Sequence, residues 1–200
     1  MAKSATSKSA TYQAVVIGVS AGGIAALEHI FSALDATFSL PIMVVQHIAT
    51  SGENYLANHF SSCCSLPVRE ALDKEPVMPG TIYFAPPNYH LLIEQHKAMA
   101  LSTQDRVNYS RPSIDVLFTT AAETYGEALV AIVLTGANHD GAAGLATVAR
   151  LGGLTIVQEP AAAEVDVMPK AALAAARVDH VLPLDNIGEF LNTVEGNTTL

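Results

Sequence analysis

Three side chains suited to acyl transfer stand just past the ends of three apolar runs. Ser20 closes AVVIGV (Ala14 to Val19), His47 closes IMVVQ (Ile42 to Gln46), and Asp140 follows ALVAIVLTG (Ala128 to Gly136). A serine hydroxyl is a poor nucleophile until an imidazole takes its proton. A buried carboxylate fixes the tautomer of that imidazole and stabilises the imidazolium that forms. Gly18-Val19-Ser20-Ala21-Gly22-Gly23 fits the G-x-S-x-G of a nucleophile elbow and lies near the G-x-G-x-x-G of dinucleotide-binding folds. A tight turn from strand to helix lifts Oγ off the sheet, and the N–H groups of the following helix can hold an oxyanion. Taken alone, the stretch also suits a phosphate-binding loop or a plain tight turn.

The surrounding elements decide whether the three residues meet. Val15, Val16, Ile17 and Val19 form a β-branched apolar run, the pattern of a strand covered on both faces. Ile24, Leu27, Phe31 and Leu34 then recur at helical spacing. Further strands are expected at 81–85, stopped by Pro86-Pro87, at 154–158 and at 180–182. Helices are expected at 52–60, from a Ser113 cap to about Tyr125, from Ala142, at 169–177 and at 186–194, with a loop at 61–67. HLLIEQHKAMAL (His90 to Leu101) reads as an antiparallel hairpin. Alternating strands and helices predict an α/β fold: a doubly wound, mostly parallel sheet with helices on both faces and the hairpin attached. One domain is expected over 12–195, between tails at 1–11 and 196–200. In a parallel sheet all strand carboxyl ends lie on one edge, where ligands bind. Ser20, His47 and Asp140 therefore project from the same edge.

Composition narrows the function. The chain of 200 residues is 50% hydrophobic and 14% charged, with a net charge of −9 and no basic stripe, which argues against nucleic acid. No apolar run reaches membrane-spanning length, and the first ten residues lack the apolar segment of a signal peptide. The two cysteines, Cys63 and Cys64, are adjacent and cannot staple distant segments, so a reducing cytoplasm is the expected compartment. Neither reads as a nucleophile. His29 reads as solvated, and His90 and His96 as strand-end and turn residues. His139 is a rival to its neighbour Asp140, which could alternatively cap the helix after it. Arg111 could bind an anionic group or simply sit beside a helix cap.

Several separate motifs in order, GVSAGG, VVQH, PGTIYFAPPNYHLLIE, RPSIDVLF, VLTGANHDGAAGL and VMPKAAL, closely resemble the catalytic domain of CheB-type protein-glutamate methylesterases. The resemblance runs from Val15 to Leu191. It implies hydrolysis of glutamate γ-methyl esters on methyl-accepting chemotaxis receptors, releasing methanol, with glutamine deamidation in some members. The family triad falls on Ser20, His47 and Asp140, and the oxyanion-hole donors on the backbone of Ala21 and Ala137. Gly22, Arg111, Asn138 and Met168 are candidate substrate contacts, and neither metal nor cofactor is implied. The chain departs from the family where Asn138-His139 replaces the usual Gly-Asn pair, at Ala137 in place of methionine, and at Ala21 in place of a hydroxyl-bearing residue. Family members usually carry an N-terminal receiver domain, but here barely a dozen residues precede the first strand. The expectation is a constitutively open site or regulation by a separate receiver-domain protein, unless a longer parent chain carries the regulation.

Three other readings compete: a non-catalytic binding module on the same fold, a hydrolase of another ester or amide, and a nucleotide binder. The last wants a third glycine beyond Gly23 and an acidic residue closing the second strand, where Gln46-His47 stands.

Overall fold

β1 (Ala14–Val19) is the central strand, and every residue in it is buried. The computed structural model describes residues 12–47 and 55–196, with side chains to 194. Around β1 lie β2 (Ile42–Gln46), β3 (Val68–Glu70), β4 (Ile82–Phe84), β7 (Leu129–Val133), β8 (Leu154–Gln158) and β9 (His180–Leu182). They form one seven-stranded sheet in the order β3-β4-β2-β1-β7-β8-β9, with every pairing parallel. The chain leaves β1 toward β2 and β4, then returns to β7 on its other side. That reversal is a topological switch point, and it opens a crevice outside the carboxyl ends of β1 and β7.

Alternation along the strands builds two cores. Val15, Ile17 and Val19 face α1 (Gly23–Ser32), α2 (Tyr55–Ser61) and α6 (Leu184–Gly196). Ala14, Val16, Met43, Val45, Ala131 and Val133 face α3 (Ile114–Tyr125), α4 (Ala142–Arg150) and α5 (Val167–Ala175). Continuing the alternation carries position 20 after β1 and position 47 after β2 toward the α3–α4 face. The N-terminus of α3 lies directly on β1: a Cβ built at Gly18 would stand 2.3 Å from Ile114 Cγ2.

The hairpin forms where the sequence places it, and β3 is a strand that the sequence does not announce. β5 (His90–Ile93) and β6 (Met99–Ser102) pair antiparallel as expected, in a two-stranded sheet of their own. This hairpin leans on α3, where Thr120 Oγ1 accepts the Ile93 N–H at 3.1 Å. β3 carries no strand signal in sequence because three half-exposed residues are too few for a pattern. α2 begins at Tyr55, and the expected helix start at 52–54 lies outside the described residues. Among the described residues no helix is long and apolar enough to cross a membrane.

Candidate active site

The carboxyl ends of the central strands are pinned by polar side chains. Gln46 Nε2 donates to the carbonyls of Ser20 at 2.9 Å and His47 at 2.8 Å. The Ser20 N–H donates to Thr135 O at 3.0 Å, and the Thr135 hydroxyl donates to Ala21 O at 2.9 Å. Gln158 Oε1 accepts the Thr135 N–H at 2.8 Å. Gln46, Thr135 and Gln158 are all buried. Sequence reasoning missed them as site residues; their signal was polarity at the carboxyl end of an otherwise apolar strand.

Ser20 itself occupies a tight turn. Gly22 has φ 76, a left-handed conformation that glycine adopts without a steric penalty, and α1 starts at the next residue. The Glu164 carboxylate lies over Gly22, 2.6 Å from where a Cβ would be. Since Val19 pairs with Gln46, Ser20 and His47 are the next residues on adjacent parallel strands. Both line one open cleft together with Ala21, Gly22 and Gly23. Among the described residues, the N–H groups of Ala21 and Ala137 are not taken up by any backbone carbonyl.

His47 faces Asp140, with Nε2 3.0 Å from Oδ2, and the Asp140 side chain is fully buried. The contact is close but bent, for Nε2 makes no linear hydrogen bond. His139, the rival, is exposed. Asp140 does not cap its own helix. It crosses to α3, accepting the N–H of Ile114 at 2.7 Å and of Asp115 at 3.2 Å, the Ser113 hydroxyl at 2.8 Å and Asn108 Nδ2 at 3.0 Å. Burial alone would raise its pKa. The contacts from His47, Ile114, Asn108 and Ser113 outweigh that and hold the carboxyl below its ordinary value. The positive end of the α3 dipole adds to the same preference for the anion.

Asp115 answers from α3. Its Oδ1 accepts the N–H of Gly141 at 3.0 Å and of Gly144 at 2.6 Å, at the start of α4, and its Oδ2 accepts from Asn108 Nδ2 at 2.8 Å. Ser113 holds the N-cap position expected of it, but its hydroxyl serves Asp140 instead of the helix backbone. His90 is structural, as its strand-end position suggested: its Nδ1 accepts the Ser113 N–H at 3.2 Å and its Nε2 lies 3.0 Å from Asp105 O. Asn108 and Asp115 were not recognised as site residues, although Asp115 lies within RPSIDVLF. Both act across more than twenty residues of chain.

The four candidate substrate contacts fare differently. Gly22 lines the cleft with Ser20. Arg111 lines a second cavity of about 280 Å³ on the far side of His47, with Tyr55, Arg106 and Tyr109. Its Nη1 is committed to Thr103 O at 2.7 Å and Gln104 O at 3.0 Å. Asn138 is turned to His47 Nδ1, and Met168 is only 1% exposed, a wall behind Ser20 rather than a surface that a substrate touches. The cysteines stand apart. Burial, then Cys63 and Glu28, pushes the Cys64 thiol up to about 12, which leaves it unreactive at neutral pH.

Fold and site together define a doubly wound α/β protein that gathers a hydroxyl, an imidazole and a buried carboxylate at its switch-point crevice. The chain belongs to the CheB methylesterase family, whose model matches residues 15–191. The crystal structure of the Thermotoga maritima CheB methylesterase catalytic domain superposes with a TM-score of 0.87 at 36% identity, covering 92% of this chain and 99% of that one. A Leptospira interrogans protein, named provisionally for methylesterase and glutaminase activities, is 47% identical over 186 residues, 93% of this chain and 96% of the relative. The protein-glutamate methylesterase/protein-glutamine glutaminase of Trichodesmium erythraeum is 36% identical over 178 residues, 88% of this chain. The chain spans about half the length of that relative, 51% of it.

Proposed function

We propose that the protein-glutamate methylesterase activity of this chain runs through Ser20 as nucleophile, His47 as general base and Asp140 as the carboxylate that orients and stabilises His47. Ser20 Oγ attacks the carbonyl carbon of a glutamate γ-methyl ester while its proton passes to the imidazole. The carbonyl oxygen becomes an oxyanion between the N–H groups of Ala21 and Ala137, where losing one such donor costs about 2.7–4 kcal/mol. Collapse breaks the bond to the methoxy group, and His47 returns the proton to it as methanol leaves. Water activated by His47 then releases the glutamyl carboxylate and restores Ser20. The same steps on a glutamine side chain would release ammonia. The observation that carries this reading is the buried Asp140 carboxylate 3.0 Å from His47 Nε2, beside the cleft that His47 shares with Ser20.

The proposed substrate is the cytoplasmic helical region of a methyl-accepting chemotaxis receptor, which puts the enzyme in the cytoplasm. Gly22 lines the acyl cleft, and Arg106 and Arg111 border the cavity beyond His47, where neighbouring carboxylates of such a helix would lie. The test compares methanol release from a receptor peptide bearing the glutamyl methyl ester with hydrolysis of a small methyl ester. Clear preference for the peptide supports the reading. Equal rates on both would instead indicate a general esterase.

A further inference from the structure

We infer that Asn138 is a resting-state lock on the general base, an inference that rests on the Ser20–His47 reading above. The Asp140 N–H donates to Asn138 Oδ1 at 3.0 Å, which fixes which end of the carboxamide is oxygen. The other end, Nδ2, therefore faces His47 Nδ1, at 3.3 Å. An amide nitrogen only donates, so Nδ1 must be unprotonated and accept, leaving the ring proton on Nε2, beside Asp140 Oδ2. This is the tautomer a base needs when its second nitrogen serves the carboxylate.

The same contact also obstructs. Nδ1 has one in-plane lone pair, and the proton of Ser20 must arrive on it. While the carboxamide of Asn138 donates there, the serine O–H cannot. At 3.3 Å the bond is long and readily displaced. The bent Nε2 contact fits a ring held at its Nδ1 end and turned off the line to Asp140. Asn138 is half-buried between exposed Ala137 and exposed His139. An acyl group seated against the Ala137 N–H thus reaches the very turn that carries the lock, and displacing Asn138 frees Nδ1 as the reacting carbonyl arrives.

The experiment measures how fast a fluorophosphonate labels Ser20 in the purified chain and in Asn138→Gly, Asn138→Ala and Asn138→Asp. Labelling forms the Oγ–P bond, expels fluoride and requires transfer of the Ser20 proton to Nδ1. Glycine and alanine remove the competing donor, and labelling should quicken about threefold to tenfold. Aspartate, nearly isosteric, accepts from Nδ1 and holds a proton there, so labelling should slow. Nitrogen-15 NMR of His47 should show Nε2–H in the wild type and a protonated Nδ1 in Asn138→Asp, a readout that a packing role would not move. Folded glycine and alanine variants that label no faster than wild type would overturn the lock alone. Absence of Ser20 labelling in every form would overturn the serine reading and the lock with it.

Discussion

Asp115 and Asp140 each hold the helix that the other belongs to or precedes. Asp140, at the entrance to α4, accepts the Ile114 N–H of α3 at 2.7 Å, and Asp115 of α3 accepts the Gly144 N–H of α4 at 2.6 Å. Asn108 Nδ2 bridges the two carboxylates at 2.8 and 3.0 Å. Burial first, and then the nearby Asp140 charge, raises the Asp115 carboxyl above its ordinary value. Six N–H and O–H donors, counting Asn108 once, hold the pair together. The position of Asp140 is thus set by two helix termini rather than by a free loop.

Asp140→Asn should leave the fold intact and lower kcat roughly a thousandfold to ten-thousandfold, because an amide cannot stabilise the imidazolium and favours the wrong tautomer. Activity assays on the purified variant check this. The variant should also lose the stability that the ionised carboxyl contributes above the acid range. A carboxyl held below its ordinary 3.8 contributes stability that is complete above that value and is lost as pH falls through the lower folded value. Urea titrations across that acid window should show wild-type stability falling more steeply than that of the variant.

Asp115→Ala strands two N–H groups at the start of α4 and frees Asn108. A loss of about 2 kcal/mol or more in folding free energy is expected, measurable by urea denaturation. Because Asn108, which also donates to Asp140, is then held at one end only, Asp140 is less firmly placed and kcat should fall with little change in KM.

Gly136→Ala puts a Cβ where Met168 Sδ is 1.9 Å away and Ser20 Cβ 2.9 Å away. One of the two must move. If Met168 yields poorly, the serine is displaced and turnover drops at least tenfold. Adding Met168→Ala should restore part of the rate, and a double-mutant cycle on kcat reads that coupling.

Charge should contribute little to encounter. The chain carries −9, and receptor methylation segments are expected to be acidic, so long-range steering is unfavourable. Accordingly kcat/KM should hold or rise modestly, and should not fall, as ionic strength rises from roughly 0.05 to 0.5 M, because salt screens the like-charge repulsion. A steep fall would point to attraction from a basic surface.

Ser20, His47 and Asp140 are legible in sequence because each follows a strongly apolar strand, and parallel topology sends all such ends to one edge. Choosing Asp140 over His139 is not legible from strand ends alone. It depends on the turn in which Gly141 takes φ 96 and Asn138, not in a left-handed conformation, folds back on Asp140. Asn108 and Asp115 escape notice for another reason. Asp115 accepts from the N–H groups of Gly141 and Gly144 at the start of a distant helix, which leave no residue-type signature. Asn108 matters only because the fold brings the carboxylates of Asp115 and Asp140 together beside it. The separate hairpin is similarly opaque, since the pattern of 90–101 fixes its pairing but not what it packs against.

The most direct measurement is methanol release from methylated receptor membranes by the native chain and by Ser20→Ala. Release by the native chain and none above background from Ser20→Ala is expected. Equal release by both would show that the ester is cleaved without Ser20 and would contradict the central claim.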